Sequence, residues 1–119
     1  MEADSEGSKW SLKALREFLR ENHINDFELW DKIKDIVVKT IISMESTVTA
    51  GFEMFVPYRD SCFELLGFDI LIDQDINPWL LEVNLSPSLN CDSPIDLSIK
   101  SNLITDLLNL AGVKAHVRP

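Results

Sequence analysis

Residues 64–92, ELLGFDILIDQDINPWLLEVNLSPSLNCD, decide the reading of this chain. Val, Ile, Leu, Phe and Trp fill two arms around the polar break Gln74-Asp75-Ile76-Asn77, which precedes Pro78. That is the pattern of strand, turn, strand. If the hairpin closes symmetrically over those four residues, Asp73 faces Pro78 and Asp69 lies directly across from Glu82. Side chains alternate along a strand, so Asn84 shares the face of Glu82. The other face then pairs Ile72 with Trp79, Ile70 with Leu81 and Phe68 with Val83, apolar pairs that stabilise a sheet. A slip of one residue would set Glu82 against Phe68 and mix the two faces.

Two opposed carboxylates with Cβ atoms roughly 5 Å apart repel unless something relieves them. A shared proton is one remedy and a divalent cation is another. Two carboxylates and a neutral amide oxygen make a hard, oxygen-only donor set, which suits Mg²⁺. Spacing alone equally admits an edge hairpin whose acids are simply solvated.

Helical periodicity surrounds the hairpin. A first helix is expected from Ser11 to Glu21, with Leu12, Leu15 and Leu19 on one stripe. A polar turn at 22–25 follows, and Asp26 is placed to cap a second helix. Trp30, Ile33, Val37, Ile41 and Met44 recur there at steps of three and four, a stripe suited to a core. The charged residues Asp31, Lys32, Asp35 and Lys39 read as a solvated face, with a partner-binding groove as the alternative. Residues 45–60 stay open between a continued helix and β-branched extended chain, and Pro57 ends whatever precedes it. After the turn Ser86-Pro87-Ser88, Ser93 caps a third helix with Pro94 at its first position and Asp96 placed for a capping box. Ile99, Leu103, Leu107 and Leu110 form its expected buried stripe, and Gly112 stops it.

The words GFDILID and WLLEVNLSPSL, continued by CDSPIDLSIKSNLITDLLNLAG, resemble the C-terminal part of the ATP-grasp ligases related to tubulin tyrosine ligase. Together with KWSL at 9–12 and WDKIKDIVVKTIIS at 30–43, they are similar to the polyglutamylase branch of that family. The resemblance covers residues 9–113, leaving 1–8 as an acidic, disordered lead-in and 114–119 as a tail. It implies an α+β fold: the end of an ATP-grasp lobe, an antiparallel hairpin or sheet packed with about three helices. In the family, the Asp of GFD and the Glu and Asn of E-V-N hold the magnesium that clamps the phosphates of ATP. Carried over, these are Asp69, Glu82 and Asn84. The Lys in the helix after SPS helps to hold the glutamate substrate, and falls on Lys100. An ion pair with Asp96, four residues earlier, explains Lys100 equally well.

The implied activity is ATP-dependent ligation of glutamate to glutamate side chains of tubulin tails. An acyl phosphate carries the acceptor carboxylate, and free glutamate attacks it. The implied setting is the cytoplasm and microtubules, extending to the cilium or basal body. At 119 residues the chain matches only the last lobe of such an enzyme, and none of its four glycines cluster into a phosphate loop. The chain alone is therefore expected to do no chemistry. A different class also fits: a short non-catalytic module that binds a protein partner. Simple magnesium binding by the isolated hairpin is a third reading.

Charge narrows the partners. The net charge is −9, from 20 acidic and 11 basic residues, with no basic patch, which argues against nucleic acid. No signal peptide, membrane-spanning run or lipidation motif is evident. Cys62 and Cys91 lack metal-ligand spacing and read as reduced thiols. His23 and His116 read as surface residues. Ser86 and Ser88 lack a histidine partner, so a catalytic serine is set aside.

Overall fold

Helix boundaries follow the capping chemistry closely. The computed structural model describes residues 5–56 and 62–115. Within these, the chain divides into two units, one drawn from 1–22 and 88–119, the other from 23–87. The elements are α+β: three helices and two small antiparallel sheets.

In the first unit, β1 (Ser5–Glu6) pairs with β2 (Lys9–Trp10). Its first strand falls in the residues that composition reads as a disordered lead-in; residues 1–4 lie outside those described. Ser11 then accepts a hydrogen bond from the Ala14 amide at 3.0 Å and opens α1 (Leu12–Glu21). Leu19 of α1 is buried, and Phe18 meets Trp10 edge to face with ring centroids 5.3 Å apart. Helix α3 (Pro94–Ala111) starts as expected, with the Ser93 hydroxyl on the Asp96 amide and Pro94 in its first turn. Its end is a Schellman motif: Val113 N–H reaches Leu108 O and Gly112 N–H reaches Asn109 O. Gly112 sits at φ 77°, where a side chain would be strained.

The second unit holds α2 (Asp26–Phe55), β3 (Gly67–Ile72) and β4 (Pro78–Asn84). Asn25, not Asp26, caps α2: its side-chain oxygen accepts from the Glu28 amide at 3.1 Å, and Asp26 is buried in the first turn. The helix runs straight through the ambiguous stretch as far as Phe55. β-branched residues cost only tenths of a kcal/mol in a helix. Pro57 and His116 lie outside the described residues. The Thr40 and Ser43 hydroxyls bond back to the Ile36 and Thr40 carbonyls, which lets them sit in mid-helix. The charged face is solvated, with Glu28–Lys32 and Asp35–Lys39 ion pairs one turn apart. Helix α2 packs against β4.

The hairpin departs from the symmetric register in one respect. Its outer rungs are as expected: Gly67 pairs with Asn84, Phe68 with Val83, Asp69 with Glu82. The inner rungs are not, because Ile70 pairs with Leu80, Leu71 with Trp79 and Ile72 with Pro78. The expected pairs Ile70–Leu81, Ile72–Trp79 and Asp73–Pro78 are thus replaced. The loop is shorter than expected. The Asp73 N–H bonds to Asn77 O and the Ile76 N–H to Asp73 O, both at 3.0 Å, so three residues close the turn. A register shift between Asp69 and Ile70, leaving Leu81 as the extra residue, takes up the difference.

The expected apolar stripes are present but only partly covered. Leu19, Leu29 and Ile95 are the buried apolar side chains among the described residues. Trp30, Ile33, Val37, Met44 and Leu107 are half-buried. Leu12, Ile41, Ile99 and Leu103 are exposed, and Leu110 is 90% exposed, so the buried stripe assigned to α3 is corrected to Ile95 alone. Patterning sets which residues share a face; burial needs a second surface to cover it.

Ile76 closes the loop at φ 61°, in the left-handed region that glycine or asparagine usually fills in three-residue hairpin loops. A β-branched residue there is strained. Replacing it by asparagine should raise the unfolding free energy by about 1 kcal/mol, read by denaturant titration. An unchanged or lower value would show the strain to be offset by side-chain packing.

Candidate metal centre

Alternation along β3 and β4 puts Gly67, Asp69 and Leu71 on one face with Trp79, Glu82 and Asn84. The other face carries Phe68, Ile70, Ile72, Pro78, Leu80 and Val83, and is mostly half-buried. Asp69 and Glu82 are exposed and directly opposed, and Asn84 is half-buried two residues on. The three residues singled out in the sequence are therefore brought together on one face. Gly67 makes room beside them. A Cβ there would meet Asn84 Cβ at an ordinary 3.5 Å but would lie only 3.1 Å from Pro87 Cβ, so any side chain would press on Pro87 in the turn after β4.

Among the described residues, no ion pair or hydrogen bond engages the side chains of Asp69, Glu82 or Asn84. No group of three or more His, Cys, Asp or Glu forms a metal cluster among the described residues either. The set here has two carboxylates and one amide. Two opposed anions without a described cationic partner, joined by a neutral oxygen donor, fit a hard divalent ion that keeps waters or phosphate oxygens in its remaining positions.

Lys100 lies in the other unit. Its ammonium does not pair with Asp96 but donates to the carbonyl of Asn90, tying α3 to the segment before it. Asp96 instead takes Lys9, Nζ to Oδ2 at 3.1 Å, and its Oδ2 also accepts from the Asp92 amide. One carbonyl occupies one of the three donors of an ammonium, so Lys100 retains donors for a ligand. Cys62 and Cys91 are both exposed and form no disulfide among the described residues. His23 is exposed in its turn at φ 59°. No helix among the described residues is long and apolar enough to cross a membrane.

Asp73 and Trp79 are the participants that sequence reading passed over. Asp73 Oδ1 accepts from the amides of Asp75 and Asn77, and Oδ2 accepts from Trp79 Nε1, each at 2.9 Å. The signal was available: an Asp opening a polar loop favours an Asx-type turn closed on its own side chain.

The sequence pattern of the tubulin-tyrosine ligase family matches residues 1–118. Human tubulin monoglutamylase TTLL4 is 55% identical over 107 residues, covering 90% of this chain and 9% of its own length. Human tubulin polyglutamylase TTLL5 is 47% identical over 111 residues, covering 93% of this chain and 9% of its own. The Caenorhabditis elegans tubulin polyglutamylase ttll-5 is 46% identical over 114 residues, 95% of this chain and 16% of its own. The chain thus spans a small part of the length of these relatives.

Electrostatics single out two carboxylates outside the opposed pair. The indole of Trp79, then the Asn77 amide, hold the Asp73 carboxyl below its usual range. The Lys9 ammonium does the same for Asp96, helped by the Asp92 amide. A carboxyl lowered in the folded state contributes stability that is present above its unfolded pKa and lost as pH falls through its folded one. Unfolding free energy should therefore decline as pH drops below about 4, and Asp73→Asn should make that decline shallower. Chemical denaturation across a pH series checks this; an identical slope in the variant would remove Asp73 as a contributor.

Proposed function

This chain belongs to the tubulin-tyrosine ligase family, and from that premise we propose that it supplies the magnesium-holding hairpin of an ATP-dependent tubulin glutamate ligase. The observation that carries the reading is the direct opposition of Asp69 and Glu82, with Asn84 on the same exposed face. The relatives' names support the acceptor: they are tubulin mono- and polyglutamylases. On this reading the fold is the end of an ATP-grasp lobe. The reaction joins free glutamate to a glutamate side chain of a tubulin tail through an acyl phosphate, and the site of action is the microtubule.

Asp69, Glu82 and Asn84 would hold Mg²⁺ together with the phosphates of ATP. The ion, when bound, supplies neutralisation of charge on the transferring phosphoryl group. The carboxylates contribute two fixed negative charges on a short, hydrogen-bonded hairpin, so the ligands need little reorganisation. Asn84 adds a neutral donor, held beside Gly67 and Pro87. Lys100 would bind a carboxylate of the incoming glutamate with the donors that Asn90 leaves free.

The exposed apolar faces of α2 and α3 agree with this chain working as part of a longer enzyme. Further lobes would bring the nucleotide's other contacts and the groove for an acceptor tail. An acidic chain of net charge −9 is not itself suited to capture an acidic tail.

Two variants of the complete ligase test the centre. Asp69→Ala and Glu82→Gln should each cut glutamate incorporation into tubulin by roughly 100-fold or more, the scale of a few kcal/mol of lost charge stabilisation. Circular dichroism should stay unchanged. Near-normal turnover in either variant would overturn the assignment. For the amino acid, Lys100→Ala should raise the KM for glutamate while leaving that for ATP near its starting value. A kcat loss at unchanged glutamate KM would take Lys100 out of the binding site.

A further inference from the structure

Two one-residue offsets stand back to back in the hairpin. The three-residue loop closes Asp73 against Asn77, and the extra residue at Leu81 then shifts every rung beyond it by one. Without the second offset, the loop's register would run on regularly and oppose Asp69 to Leu81. Glu82 would then lie beside Phe68 on the other face. A different closure over four residues would need no bulge at all. It would keep Asp69 opposite Glu82 and would pair Ile72 with Trp79 and Ile70 with Leu81, three apolar rungs counting Phe68 with Val83.

The molecule takes neither simple solution. It accepts a left-handed Ile76 and an interrupted ladder, both local costs, and keeps the bulge immediately next to Glu82. One side chain reinforces the two backbone bonds that close the short loop. Asp73 binds the amides on both sides of Ile76, at Asp75 and Asn77, and grips the Trp79 indole at the start of the returning strand. All three donors lie within six residues of it, and all three favour the closure that makes the bulge necessary.

We propose that Asp73 is a positioning residue for the metal centre: through the short loop and Trp79 it maintains the bulge at Leu81 that aims Glu82 toward an ion shared with Asp69 and Asn84. This rests on the reading of those three residues as magnesium ligands. Bulges bend a strand and re-aim its side chains, so their loss alters ligand direction even when the opposed pair survives. Release of the clamp leads to one of two states. Either Glu82 moves to the other face, or it stays opposite Asp69 on an unbent strand. Both weaken the centre.

The test uses Mn²⁺ as the probe, titrated into the complete protein without nucleotide and followed by electron paramagnetic resonance. Measurements are made well below the melting temperature of every variant, so that a purely structural contribution lowers Tm and leaves the Mn²⁺ affinity of the folded protein alone. Asp73→Ala should raise the Mn²⁺ Kd by roughly 10-fold or more, the usual scale for partners that orient metal ligands. Trp79→Phe keeps an aromatic side chain while removing the Nε1–H donor, so it should give a smaller rise; it also serves if Asp73→Ala fails to fold. Asp73→Asn retains one acceptor oxygen and should fall between them. Glu82→Gln is the control for the ligand assignment. If Glu82→Gln weakens Mn²⁺ binding while Asp73→Ala and Trp79→Phe leave it at the starting value, the positioning role is overturned and the centre stands. If Glu82→Gln also leaves it unchanged, both readings fall.

Discussion

A strand sends successive side chains to opposite faces, and from that constraint the whole centre follows. Asp69, Glu82 and Asn84 can act together only while the rung joining β3 to β4 at Asp69 and Glu82 is kept. The cost of keeping it is modest. Two unit charges about 5 Å apart repel by roughly 0.8 kcal/mol in water and about 3 kcal/mol at an effective dielectric of 20. Both residues are exposed, so the lower figure is nearer, and apolar contacts on the opposite face are enough to offset it. The proposed cation site can thus lie open to water without unfolding its own support.

The first unit is ordered by a different economy, short-range capping joined by one long-range ion pair. Asp96 bonds Lys9 from the hairpin ahead of α1 and the Asp92 amide from the turn ahead of α3. Its side chain is only 15% exposed, while that of Lys9 is 56% exposed, so the pair is half-solvated. An exposed pair would contribute little. Here the carboxylate also accepts from the Asp92 amide, which makes it a junction between two segments 87 residues apart in sequence.

What was legible in the residues was what local chemistry dictates. Ser11, Ser93, Pro94 and Gly112 begin and end helices where their side chains, or the lack of one, say they should. Hydrophobic patterning also found the rung between Asp69 and Glu82, because a slip of one residue would have mixed the two faces. It missed the loop length. Apolar pairing favours four residues in the loop, and the three that are present are closed by backbone bonds and by the acceptor oxygens of Asp73, which no periodicity records. Asn25 took the cap expected of Asp26 because the two neighbours have nearly equal capping strength and only geometry separates them.

The stripes on α2 and α3 are apolar as expected but only partly covered, on α3 least of all, and the same cause lies behind both results. Periodicity identifies a face that leaves water when a partner exists. Each exposed Leu or Ile left uncovered forgoes roughly 1.5–3 kcal/mol of burial, and Leu97, Leu108 and Leu110 on α3 are all uncovered. The hairpin does not share this dependence. Its loop, its bulge and its opposed acids are set by hydrogen bonds within residues 67–84, so the geometry of the proposed centre can be specified before any further surface packs around it. On the proposed function, that separation suits an enzyme built from several lobes. The hairpin keeps the proposed ligands in register by its own local bonds, while the apolar faces of α2 and α3 remain available for further surfaces to cover.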